Sequence, residues 1–172
     1  MKTLCVLFVA GFVCLSVVEA QEDEKKKDVR FEKMKKLNGE WIMLDKEGKK
    51  TEGVTLRYRV TAAGSTVMET IFVDQPHEMV TMYHMDGEKL RMTHYCAQGN
   101  QPTLVAADKV DEKKSLSFTC DKVSNVNSHD DDHMHSLVVT FVADDRIKQA
   151  WAGFKDGKAK EPHVFQFVRK KK

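Results

Sequence analysis

The residues of this chain whose types and spacing could do chemistry are histidines and cysteines, and they gather in a few places. The densest is His129-Asp130-Asp131-Asp132-His133-Met134-His135. Along a β-strand His133 and His135 project to one face, so both imidazoles can approach one cation. Asp130 or His129 could complete a shell for zinc or copper, and His94 could do so from across a barrel. The same residues also read as a solvated acidic hairpin loop with incidental histidines, since asparagine, serine and aspartate surround them. His94 and Cys96 have the residue types of a thiol–imidazole pair on one strand face. No third group orients that histidine, and neither a nucleophile elbow nor a phosphate loop occurs. The expectation is a protein that is not an enzyme.

Residues 1–20 hold a single lysine, Lys2, then an apolar run from Leu4 to Val18, then Val18-Glu19-Ala20. A basic start, a short apolar core and small residues at the end predict a secretory signal cleaved after Ala20. The protein is then secreted or periplasmic. No later apolar stretch could cross a membrane, so no stable span is expected once the signal is gone. Residues 21–29 read as a flexible charged N-terminus and residues 30–172 as one domain. Lysine and arginine total 28 against 26 aspartate and glutamate, which gives no global pull toward nucleic acid. A monomer is expected. Two cysteines, Cys96 and Cys120, remain after the signal. Export favours a disulfide between them. An intervening strand would hold them about 9–10 Å apart, beyond the roughly 7 Å that a disulfide spans. Bridged and unpaired forms both stay open.

The elements that must position these groups are almost all strands. Phe31, Met34 and Leu37 have a short helical spacing that Gly39 ends. Alternating runs follow at 41–44, 54–61, 66–73, 78–85, 89–96, 103–110, 115–122, 135–143, 146–154 and 163–169. Tight turn signals separate them, Asp86-Gly87 most clearly. Short connections make neighbours antiparallel, and closing the meander removes its exposed edges. The fold expected is all-β: a single antiparallel up-and-down barrel of about ten strands with a short N-terminal helix.

Alternation assigns faces. Val54, Leu56, Tyr58 and Val60 point inward, as do Leu116, Phe118 and Cys120, and Leu137, Val139 and Phe141 with His133 and His135 in phase. About an Asp86-Gly87 loop, Tyr83 faces Leu90, Thr81 faces Met92 and Met79 faces His94. Ile147, Gln149 and Trp151 are inward, and so are His163, Phe165 and Phe167. Such an interior is apolar and methionine-rich, yet holds several polar side chains that each need a partner when buried. A ligand cavity tolerates them better than a filled core. Met79, Thr81, Tyr83, Leu90, Met92, His94, Leu116, Phe118, His135, Val139 and Trp151 would line it around a small apolar or amphipathic molecule. Tyr83, His94 and His135 would fix a polar head group. No cofactor is required by this reading.

Leu37-Asn38-Gly39-Glu40-Trp41 resembles the Gly-x-Trp opening of lipocalins and the wider calycin group. The segments from Met82 to Gly87 and from Thr93 to Pro102, with Thr-His-Tyr-Cys-Ala at its head, resemble a group of uncharacterised exported bacterial proteins. The resemblance implies a lipocalin-like barrel and export. Ten strands without a terminal helix sit closer to the fatty-acid-binding-protein and nitrobindin end of the group. By analogy with nitrobindin, whose haem is ligated through a histidine near the C-terminus, His163 in Glu161-Pro162-His163 is a haem candidate. The glycine-rich Gly-x-Trp-x-Gly-x-Gly of that family is absent, because Ile42-Met43-Leu44 follows Trp41.

Overall fold

The structure is a computed structural model describing residues 27–108, 114–128 and 130–171. The expected signal segment and His129 lie outside the described residues. After one helix, α1 (Val29–Lys35), the chain runs through β1 (Gly39–Leu44), β2 (Leu56–Thr61), β3 (Thr66–Ile71), β4 (Met79–Asp86) and β5 (Lys89–Tyr95). It continues through β6 (Gln101–Ala106), β7 (Ser115–Ser124), β8 (His133–Ala143), β9 (Arg146–Lys155), β10 (Lys158–Ala159) and β11 (His163–Arg169). Each strand pairs antiparallel with its neighbours, and β1–β11 pairing closes the sheet. The two-residue β10 lies on the same edge of β9 as β11, so the closed barrel has ten staves. Glu161-Pro162 separates the two pieces, as expected where proline removes a ladder donor.

The barrel has two unlike ends. The β2–β3, β4–β5, β6–β7 and β8–β9 connections share one end with α1. The β1–β2, β3–β4, β5–β6, β7–β8 and β9–β11 connections share the other.

Helix α1 forms where Asp28 caps it: the Asp28 carboxylate accepts from the amides of Arg30 and Phe31. Its apolar side, Phe31 and Met34 with Leu37 just beyond, is buried as a lid on the core. Burying each such side chain contributes roughly 1.5–3 kcal/mol. Arg30 is also buried; it donates to Asp28 and to the carbonyls of Glu88 and Ala107, pinning the helix to two turns. At the other end of α1, Arg169 donates to the carbonyls of Lys36 and Asn38 and lies over the Trp41 ring at 4.2 Å. Helix carbonyls left without an intrahelical partner are thus satisfied by the last strand. Gly39 suits this position because its φ of +133° is one that L side chains rarely adopt, and a Cβ would also stand 2.9 Å from Arg169 Nη1.

Two expectations change in detail. Asp86 pairs with Lys89, so the hairpin loop is Gly87-Glu88 and Tyr83 faces Met92, while Thr81 faces His94. Only Gly87 of the two takes a positive φ, which suits a type II′ turn with glycine first and leaves Asp86 in the strand. The slip is even, so every side chain keeps its face. Both cysteines are free thiols, so the disulfide alternative falls away.

Candidate functional site

Glu69 lies on β3 between Val67 and Ile71, in phase with both, and all three are buried in the barrel. Tyr83 donates its hydroxyl to Glu69 Oε2 at 2.8 Å, and Gln149 Nε2 donates to the same oxygen at 3.1 Å. Gln149 Nε2 also donates to the Tyr58 hydroxyl at 2.7 Å, while its Oε1 accepts from Trp151 Nε1 at 3.2 Å. Five side chains from β2, β3, β4 and β9 therefore form one buried polar network. Burial pushes the Glu69 carboxyl up, and the hydrogen bonds that Tyr83 and Gln149 give it work against that. Burial, reinforced by Glu69, holds both tyrosine hydroxyls well above their usual range. Glu69 Oε1 is the exception in this network: it is buried and has no hydrogen-bond partner among the described residues.

Nearer the loop end, Thr81 Oγ1 and His94 Nδ1 are 2.9 Å apart and the His94 ring packs on Trp151 at 4.8 Å. Burial holds the His94 imidazole down at about 4, so it is neutral at neutral pH. Through Trp151 this pair joins the Glu69 network. His94 does not serve Cys96, whose thiol is directed at Gln98 Oε1 at 3.9 Å. Burial also pushes the Cys96 and Cys120 thiols up, away from the thiolate form.

At the loop end itself, His133 Nε2 and His135 Nδ1 stand 3.4 Å apart, and Phe154 packs on both rings. The third donor beside them is Cys120, with one ligand atom from each of the three within 4.8 Å of the others. Neither Asp130 nor His94 belongs to that cluster. Two β-bulges shape it. On β8, Met134 and Ser136 oppose adjacent residues of β9, so His135 is the extra residue. On β7, Lys122 and Cys120 oppose adjacent residues of β6, so Asp121 is extra. Alternation alone puts all three donors on the inward face, and the bulges set their local direction at the rim. His163, on the inward phase of β11, is exposed at its start.

The residues expected to line a cavity are gathered inside the barrel. Thr81, Tyr83, Leu90, Met92, His94, Leu116, Phe118, Val139 and Trp151 are buried; Met79 and His135 are half-buried. Leu90, Met92, Leu116 and Val139 have no exposed surface at all, so against expectation they line no open cavity but pack on protein, and a molecule reaching them must displace side chains. Half-buried apolar groups at the loop end are Met43, Phe72, Met79 and Phe165. Phe72 holds φ 58°, a conformation costly for a bulky residue, with its amide bonded to the Thr55 carbonyl at 2.7 Å and its ring edge-on to Phe165. Two clefts mark the outside: about 540 Å³ beside Asn100, Asn125 and Asp131 at the loop end, and about 670 Å³ between Lys33, Lys114, Phe141 and Arg169 at the helix end.

Alternation puts Tyr58, Tyr83 and Gln149 inward, and Glu69 is the member of the network missing from the expected inward faces. The signal was there: Val67, Glu69, Ile71 and Val73 alternate in one phase, and a carboxylate among them is bound for the interior. No protein-family model matches this chain and no curated protein matches it, so the geometry above carries the functional reading alone.

Proposed function

We propose that this barrel holds a small apolar or amphipathic molecule, admitted at the loop end, with its polar head at the Glu69 network. The observation that carries the reading is Glu69 Oε1, a buried carboxyl oxygen without a partner. Leaving such an atom unsatisfied costs about 1–3 kcal/mol, which a ligand bringing a hydroxyl, amide or amine donor would recover. The half-buried Met43, Phe72, Met79 and Phe165 supply an apolar collar for the rest of the molecule. Methionine side chains reshape easily, which suits a site whose floor must open to admit its guest. Helix α1 covers the opposite end, so the loop end is the route in.

The calycin-like resemblance and the expected signal fit an exported, monomeric carrier. A binding protein is favoured over an enzyme because burial keeps both thiols protonated and His94 is engaged with Thr81. A haem reading through His163 gains nothing from that residue's exposed position.

Titration with an environment-sensitive fluorescent amphiphile tests the reading, followed by displacement with long-chain alcohols, amines and carboxylates. Saturable binding at one site per chain is expected, with donor-bearing heads displacing best. Glu69→Gln should weaken those heads by up to about tenfold, the size of one lost hydrogen bond. A probe that never saturates, with the barrel intact by circular dichroism, would overturn it.

A further inference from the structure

We propose that Cys120, His133 and His135 form a zinc(II) site at the loop end of the barrel, these three being its ligands among the described residues and water completing the shell. The donors come from two adjacent strands: Cys120 on β7 lies one step beyond the Thr119–Ser136 pair, level with His135 on β8. Two bulges, at Asp121 and His135, stand next to the donors.

The nitrogen geometry already matches a tetrahedral shell. Two imidazole nitrogens bound to zinc at about 2.0–2.1 Å lie roughly 3.3 Å apart at the tetrahedral angle. His133 Nε2 and His135 Nδ1 are 3.4 Å apart. The tautomer of His133 is fixed by its other nitrogen, 2.7 Å from the Asp131 carbonyl, which can only accept. Nδ1 therefore carries the proton and Nε2 presents a lone pair toward His135. Orientation of a ligating imidazole by a backbone carbonyl is the usual outer support of a zinc site. The Cys120 sulfur and one nitrogen of each histidine lie within 4.8 Å of one another, so the sulfur has at most roughly 1 Å to close to reach the separation that a 2.3 Å zinc–sulfur bond implies. It has a modest tether to leave, a 3.6 Å contact to the Lys122 carbonyl.

Binding balances simply. The Cys120 S–H bond breaks, its sulfur pair goes to zinc and one proton is released to solvent; His135 carries its proton on Nε2 so that Nδ1 can ligate. The acidic loop is otherwise engaged. Asp131 Oδ2 accepts from the amides of Asn127 and Ser128, and Asp132 pairs with Lys160 at 3.0 Å.

The experiment uses the full chain, stripped with chelator and titrated with zinc(II) by calorimetry, then with cobalt(II) by absorbance. One strong site per chain is expected, with about one proton released per metal. Cobalt should give a thiolate charge-transfer band together with intense tetrahedral d–d bands. Cys120→Ser should abolish that band, and His133→Ala should weaken zinc binding by roughly 100-fold or more. The Asp130→Asn/Asp132→Asn double variant should bind as the wild type does. Absence of the thiolate band in the wild type overturns the proposal without reference to any variant. So does zinc affinity that follows Asp130 and Asp132 and ignores Cys120.

Discussion

The two ends of this barrel use the same alternating strands to opposite effect. At the helix end Arg30, Trp41 and Arg169 each find a backbone carbonyl, and Phe31, Met34 and Leu37 fill the remaining space. At the loop end Met43, Phe72, Met79 and Phe165 are half-buried, Phe72 holds φ 58° and two bulges stand at the histidines, while the helix end has half-buried Met85 and Phe141 and a bulge at Val142 of its own. One end is built for stability, where polar groups are satisfied locally. The other keeps polar and soft donors beside apolar surface. Between them lies the Glu69 network, with its one unsatisfied oxygen.

The sharpest way to break this contrast is to remove one large apolar side chain from each end. Met34→Ala should cost about 2–5 kcal/mol, because the closed end leaves a cavity with little means of collapse. Equilibrium urea unfolding checks it.

The next effect is a dependence on pH. Burial lowers the folded pKa of His94 from 6.5 to about 4, so the unfolded chain binds the proton more tightly. Stability contributed by neutral His94 is therefore present above pH 6.5 and lost as pH falls toward 4. Between pH 7 and 5 the loss is on the order of 2 kcal/mol. Glu69 acts with the opposite sign: its raised pKa makes its contribution largest below the unfolded value of 4.5 and smaller as pH rises through the folded one. Urea midpoints of wild type and His94→Gln at pH 7 and pH 5 separate the two, and the variant should lose the acid slope.

Gly39→Ala should cost about 1–3 kcal/mol, through a left-handed backbone and the 2.9 Å approach to Arg169, and thermal unfolding reads it. Smallest is Met79→Ala at the loop end, about 1 kcal/mol or less since the side chain is only half-buried. Equal losses from Met34→Ala and Met79→Ala in the urea series would erase the distinction between the ends.

Ten strands were legible because each is a period-2 run closed by a turn signal, and the inward faces followed from the same alternation. The even slip at Gly87-Glu88 shows why faces outlast errors of register. Alternation already places Cys120, His133 and His135 on the inward face, so their approach was partly legible; the bulges at Asp121 and His135 were not, because the polar residues around them hide the one-residue change of phase. His163 shows another limit, since phase gives its face while only the strand's length gives its exposure. Glu69 was legible in phase and went unread among apolar neighbours.

Native mass spectrometry of the protein taken from its own cells, with no ligand added, tests the central claim most directly. A ligand-holding barrel carries a small organic adduct that leaves on denaturation and is retained poorly by Glu69→Gln. A chain that flies at its bare polypeptide mass, and gains no adduct when amphiphiles are supplied, would contradict it.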